Sequence, residues 1–289
     1  MIKNLQDLFP LKKGEIMETF IVTTFCIISD YLKFIKFRDD VQAQMSTAEI
    51  ITATVVAGRF FGGHHWNTQL FLKEHGYMPN MLSKSQFNRR VHSVEMGIWE
   101  GLTHALGEVF KNREIDGNFL HDSFPVPICA NVRASRSKIV QGSEYWGYSA
   151  TKNDYFFGAR IHATTTSFGA PVEFVIAPGS YHDSNIIQHF DFDLPRGSRI
   201  HADNGCADQE YEQIIHESMG IIPIFHRKSN SKNPHIPWVD ALSRRIRKNV
   251  ETAFSLIQSL FPKKIHVITM KGFLLKLRNF ILAHSFRFF

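Results

Sequence analysis

The sequence has little cysteine. Its three residues, Cys26, Cys129 and Cys206, lie far apart in a chain of 289. No CxxC pair and no Cys/His set at zinc-ligand spacing occurs, which argues against a zinc ribbon and against a disulfide framework. Such usage fits a reducing cytoplasm. Long apolar runs are also missing. The most apolar early stretch, FIVTTFCIIS at 20–29, covers about ten residues between Glu18 and Asp30, whereas a membrane span needs about 20. It reads as a core helix. The N-terminal MIKNLQDLFPLKKGE has no apolar signal-peptide segment. Neither membrane insertion nor secretion is therefore expected. Internal repeats and low-complexity tracts are absent too, which excludes solenoid arrays.

What is present is a globular chain, 44% apolar, with a net charge of +6 and a pI near 9.2. That excess of positive charge favours a polyanionic partner. The first third reads helical. Phe20, Ile21, Thr24, Phe25, Ile28, Tyr31, Leu32 and Ile35 recur at helical spacing within 17–37. STAE at 46–49 is a capping-box pattern that opens a helix ending at Gly62-Gly63, and a shorter helix follows Asn67. SKSQ at 83–86 is a second capping box, opening one helix that runs to about Phe110. Short helices followed by one that begins Ser-Gln-Phe-Asn-Arg-Arg suggest a helix-turn-helix, in which Gln86, Asn88, Arg89 and Arg90 are suited to base edges and phosphates. A plain helical bundle with a solvated Arg pair is the alternative. His64-His65 has no partner at metal spacing.

After Phe110 the character changes. NFLHDS at 118–123 is a short strand, and 155–167 and 170–179 are two β-rich runs joined at Phe168-Gly169. A short helix begins in DSNIIQHF, then come a strand in GSRIHADNG, a helix ended by Gly220 and a strand in IIPIFHR. A long helix covers about Val239 to Leu260 and a last one lies in KGFLLKLRNFILAHSF. Three strands in a meander followed by alternating strands and helices make a mixed sheet flanked by helices. That is the element order of an α/β, RNase H-like fold. The chain divides accordingly into a helical N-terminal domain at 1–113 and an RNase H-like domain at 114–289.

In RIHADNG a short apolar approach ends in Asp203, and an Asn-Gly turn follows at once. Asp122 is placed at the end of the first strand. In the expected sheet the first and fourth strands are neighbours, so two carboxylates come side by side. They repel unless a cation holds them, and hard oxygen donors suit Mg²⁺ or Mn²⁺. The long helix offers a third carboxylate. Val239, Leu242, Ile246, Val250, Ala253, Ile257 and Leu260 form one apolar stripe, and Glu251 lies off it with Arg244, Arg247, Ser255 and Gln258. The bland alternative is an ordinary helix ion pair between Glu251 and Arg247.

These residues resemble those of a bacterial insertion-sequence DDE transposase of the cut-and-paste type. The resemblance covers roughly 115 to 285. It is carried by Asp122 in HDSFPV, the run YWGYSATKNDYFFGARIHATTTSFGAPVEFVIAPGSYHD at 145–183, Asp203 in HADNGCAD, and RKNVETAFSLI around Glu251. Eighty residues separate Asp122 from Asp203, and 47 separate Asp203 from Glu251. Arg247 matches the Arg that many relatives carry four before the Glu. Gln258 stands in place of their Lys seven after it, and Arg244 in place of a frequent Tyr.

The resemblance implies two Mg²⁺ (or Mn²⁺) ions held by Asp122, Asp203 and Glu251, with Asp122 bridging. It implies hydrolysis at the element's inverted-repeat ends, then direct attack of the freed 3′-OH on target DNA. Double-stranded DNA is the implied partner, bound by a homodimer, in a bacterial cytoplasm close to the nucleoid. Arg133, Arg136 and Lys138 follow the first strand. Arg227, Lys228, Lys232, Arg244, Arg245, Arg247 and Lys248 face one acid, Asp240, within 226–248. Beside a carboxylate site these read as phosphate contacts with steep salt dependence. Trp238 is either core or a stacking surface for a flipped base. Asp183 in YHDS supports the site from outside or caps the next helix. The rival readings are a Mg²⁺-dependent nuclease of the same fold and a non-catalytic DNA-binding regulator derived from a transposase.

Overall fold

The structure is a computed structural model. It describes residues 13–149, 153–182, 186–190, 192–203, 209–227, 236–262 and 265–289, with the side chains at 13, 189, 209, 237, 240, 242, 244, 247 and 250 left undescribed. Asp183, Lys228 and Lys232 lie outside the described residues, and so do the side chains of Arg244 and Arg247. The chain forms two compact units. One runs to Leu102 and includes Arg278–Phe289; the other is Thr103–Leu277.

The first unit is helical. Its helices are α1 (Lys13–Phe34), α2 (Thr47–Phe60), α3 (His65–Glu74) and α4 (Lys84–Ser93), with the start of α5 (Met96–Arg113). Both capping boxes form. Ser46 Oγ accepts the Glu49 N–H at 3.2 Å while Glu49 accepts the Ser46 N–H at 2.7 Å, and Ser83 and Gln86 repeat the arrangement. Each cap satisfies two amide groups that a helix start leaves orphaned. The single helix expected after Ser83 is two. Val94 is extended (φ −61°, ψ 124°) and buried, and the Ser93 hydroxyl donates to the Arg90 carbonyl at 2.9 Å, so the chain turns before α5 begins. The third helix starts at His65 rather than after Asn67.

The second unit is built on a six-stranded mixed sheet: β1 (Asn118–Cys129), β2 (Trp146–Ser149), β3 (Asp154–Thr166), β4 (Pro171–Pro178), β5 (Arg199–Ala202) and β6 (Ile222–Phe225). β1 pairs antiparallel with β3 and parallel with β5, and β5 pairs parallel with β6. β2 and β4 occupy successive stretches of β3, at 154–157 and 159–165. Helix α6 (Gln209–Ile214) and a π-turn at Ile215–Met219 follow β5 and stop at Gly220 in the left-handed region (φ 67°). Helix α7 (Pro237–Leu260) packs on β1 and β5, and α8 (Met270–Ser285) closes the chain. This is the RNase H-like mixed sheet with flanking helices.

The sheet departs from expectation in two ways. The first strand is twelve residues long, not six, although it contains Pro125 and Pro127. Among the described residues β5 pairs with β1 only over Asn118–Leu120, so no described strand covers that edge of β1 further on. Prolines that lack an N–H are tolerated where that group would face such an edge. β2 is a strand that the apolar pattern did not announce. It is held by Arg160, which donates to the Tyr148 carbonyl at 2.7 Å and to Ser123 Oγ at 3.3 Å. Gly147 makes room for it: a Cβ there would sit 2.2 Å from the Gly179 carbonyl oxygen.

Candidate active site

The β1–β5 register places the two aspartates. Asn118, Phe119 and Leu120 face Arg199, Ile200 and His201, and carrying that register two residues on sets Asp122 opposite Asp203. Asp203 is the residue immediately after β5, as expected. Asp122 is not at a strand end but is the fifth residue of β1, because β1 continues to Cys129. Its Oδ1 accepts the Ser123 N–H at 2.8 Å. Both aspartates are half-buried.

Strand alternation fixes the face. Asp122 and Phe124 point the same way, and so do His201 and Asp203. The Phe124 ring packs on Phe254 of α7 with centroids 5.3 Å apart, and His201 Nδ1 lies 3.3 Å from Ser243 Oγ of α7. Both aspartates therefore lie on the face that α7 covers. Glu251 is on α7, one turn before Phe254, and is exposed. The buried positions described on that helix include Ser243, Ala253, Phe254 and Ile257. The apolar stripe thus turns toward Glu251, which borders it.

His201 is a residue the sequence reading passed over. It is 2% exposed, and its Nε2 lies 3.2 Å from Asn118 Oδ1 while Nδ1 meets Ser243. Burial, assisted by the Arg199 charge, pushes its pKa down to about 4, so at neutral pH it is an uncharged strut joining β5, β1 and α7. Its signal in the sequence was parity: it sits two before Asp203 in RIHADNG.

As donor types, these carboxylates suit a hard divalent cation. Among the described residues their oxygens do not come together as a group, whereas one donor atom each from His104, Glu108 and Asp193 falls within 4.8 Å.

The other candidate contacts divide. Asn88 and Arg89 are exposed on α4. Gln86 accepts the Ser83 N–H in its capping box, and Arg90 donates to Asp39 at 3.2 Å and to Thr47 Oγ1 at 3.3 Å, so both are engaged within the fold. The α3–α4 connection, residues 75–83, is longer than the roughly three to four residues of a tight helix-turn-helix. Arg133 and Arg136 are exposed on a 3₁₀ turn directly after β1, with Lys138 beyond it. Arg227 pairs with Glu212, whereas Arg245 and Lys248 are exposed on α7. Trp238 is 65% exposed, which removes the core alternative. No helix among the described residues is long and apolar enough to cross a membrane.

The chain belongs to the DDE transposase family: the family model described as "Transposase DDE domain" matches residues 112–266, more than half of the chain. No curated protein matches it. Among solved structures, the chain is similar to the piggyBac transposase in its synaptic complex with hairpin DNA, at 12% identity and a TM-score of 0.49, over 93% of this chain and 73% of that one.

Proposed function

We propose that this protein is a DNA transposase that cleaves the ends of its own element and joins the freed 3′-OH to target DNA, with Asp122, Asp203 and Glu251 as the reactive centre. The observation that supports this reading is the parallel β1–β5 register, which ends at Leu120 and His201; carried two residues further, it would bring Asp122 beside Asp203, beneath the helix that bears Glu251.

Each residue's part follows from its place. Asp122, in mid-strand and paired with Ala163 of β3, is the rigid donor. Asp203, at the strand end, opens toward the loop side where a phosphodiester can approach. Glu251 is carried on α7, whose seat is set by the His201–Ser243 and Phe124–Phe254 contacts. A divalent metal pair held by these three would supply an acidified water or 3′-OH and neutralise the leaving oxygen. In the first reaction water adds to phosphorus and the 3′-oxygen leaves as the hydroxyl of the cut end. In the second that hydroxyl attacks a target phosphodiester, one P–O bond forming as another breaks, with no covalent bond to the protein. Asn88, Arg89, Arg133, Arg136 and Lys248 supply phosphate contacts, which makes binding strongly salt-dependent. The partner is double-stranded DNA, engaged by two copies of the chain.

The test is strand cleavage by the purified protein, with Mg²⁺, on labelled DNA carrying the sequences that flank its gene, beside Asp203→Ala. Nicks at the ends that vanish in the variant support the proposal. Cleavage without joining of a pre-cut end would make the protein a nuclease. Equal inactivity with retained DNA binding would make it a regulator.

A further inference from the structure

We propose that the sheet edge formed by β2 and the start of β3 is a stacking platform for an unpaired DNA base close to the cleavage site. This rests on the DNA-processing reading above. Trp146 and Tyr148 alternate on β2 with buried Gly147 and Ser149, so both rings leave the sheet on one side. They pair across the strands with Phe157 and Tyr155, at ring centroid distances of 5.3 and 5.2 Å. Phe157 is buried, while Trp146, Tyr148 and Tyr155 are 39%, 38% and 64% exposed. Cross-strand pairing accounts for one side of each ring, and the solvent-facing surface that remains on Trp146, Tyr148 and Tyr155 offers a planar ligand a place to stack.

The platform lies on the catalytic side of the sheet. Along β3 the residues 157, 159, 161 and 163 share a face, and Ala163 is the partner of Asp122. Six residues separate Phe157 from Ala163, which is about 20 Å along a strand. That equals about six nucleotides of duplex at roughly 3.4 Å each. At the Trp146 end an open cavity of about 500 Å³ lies between Trp146 and Phe157 and the loop bearing Ser135, Gln141 and Ser143. Its apolar walls and hydroxyl and amide groups suit the faces and edges of a base. The same loop exposes Arg133, Arg136 and Lys138, against Glu144 and Asp154 on the acidic side. Cations beside stacked rings are the combination that binds single-stranded nucleic acid with little sequence preference.

Two fluorescein-labelled probes test this: the element-end duplex fully paired, and the same duplex with a six-nucleotide unpaired tail at the cut position. Wild-type protein should bind the tailed probe more tightly. Trp146→Ala should weaken tailed-probe binding about tenfold and leave the paired duplex within about twofold, Trp146→Phe should keep most of the preference, and Tyr155→Ala should lose part of it. A 2-aminopurine placed in the tail should be quenched by wild type and not by Trp146→Ala. Equal binding of both probes by wild type, or equal weakening of both by Trp146→Ala, overturns the platform while leaving the transposase reading intact. A change in oligomeric state of Trp146→Ala with unchanged tail preference assigns the edge to a second copy instead. Failure of wild type to bind either probe overturns the DNA reading itself.

Discussion

Two acidic groups in the larger unit are built differently. In the first, Asp122 on β1 and Asp203 just after β5 lie on the sheet face that α7 covers, and Glu251 is exposed on α7 itself. In the second, Glu108 and Asp193 face Lys111, whose ammonium is bonded to Glu108, to the Asp193 carboxylate at 3.0 Å and to the Asp193 carbonyl; His104 lies 3.7 Å from both acids. Lys111 is 8% exposed and belongs to the structure. The second group is the more compact, with ligand-type atoms within 4.8 Å, yet a resident cation already fills it. Compactness alone is therefore a poor guide to a metal site. A resident lysine marks an ion-pair clasp, here tying α5 to the segment before β5, whereas the proposed reactive centre calls for an outside cation.

The largest expected effect separates the two groups by activity. Asp203→Ala should reduce strand cleavage at least about a thousandfold, since a metal donor acts chiefly in the transition state. Asp193→Asn should leave cleavage within about threefold, because it only weakens a partly exposed clasp. Gel assays on one labelled substrate measure both. Comparable losses in the two variants would break the distinction drawn above.

Stability should separate them in the opposite sense. Lys111→Met leaves two acids without their shared cation and should cost about 2 kcal/mol in urea unfolding. Glu251→Gln, at an exposed helix position, should change stability by less than about 0.5 kcal/mol while removing cleavage. A destabilised Glu251→Gln would mean that Glu251 is a structural partner of α7 and not a poised donor.

How much of this was legible in the sequence depends on how local each feature is. Both capping boxes were readable because four consecutive residues suffice. The place of Asp203 was readable because an apolar strand and an Asn-Gly turn bracket it, and the adjacency of its strand to the first followed from element order. The length of β1 was not: Pro125 and Pro127 argue against a strand until the edge of β1 beyond Leu120 is seen to have no described strand on it. β2 was invisible because four residues are held by distant Arg160 and by the room that Gly147 leaves. The buried side of α7 was read slightly askew, since Phe254 is drawn inward by Phe124, which no helical period reveals. Lys111 as the partner of Asp193, 82 positions on, was likewise out of reach.

A metal titration sharpens the comparison further. A ligand present at about ten times its Kd stabilises the native state by about 1.4 kcal/mol, which for a chain of this size raises Tm by about 3 °C. Mg²⁺ or Mn²⁺ should produce such a rise in wild type and in Asp193→Asn, and none in Asp203→Ala. A rise that survives in Asp203→Ala and disappears in Asp193→Asn would transfer the metal to the clasp.

The smallest effect concerns pH and belongs to the clasp alone. Hydrogen bonding and charge from Lys111 hold the Asp193 carboxyl below its ordinary value of 3.8, against a small opposing effect of burial. A depressed carboxyl stabilises the fold above its unfolded pKa, and that contribution fades as pH falls through the folded value. For Lys111, burial pulls the pKa down, but bonds to Glu108 and Asp193 outweigh it and raise the group above 10.5. A raised lysine stabilises below its unfolded pKa and loses that contribution as pH climbs through the folded value. The stability difference between wild type and Lys111→Met should then be flat between about pH 5 and 9 and shrink on both sides. Urea midpoints across that range measure it. A difference that stays unchanged on acidification would show that Lys111 is held by packing of its stem rather than by its two acids, and the clasp would lose its electrostatic basis.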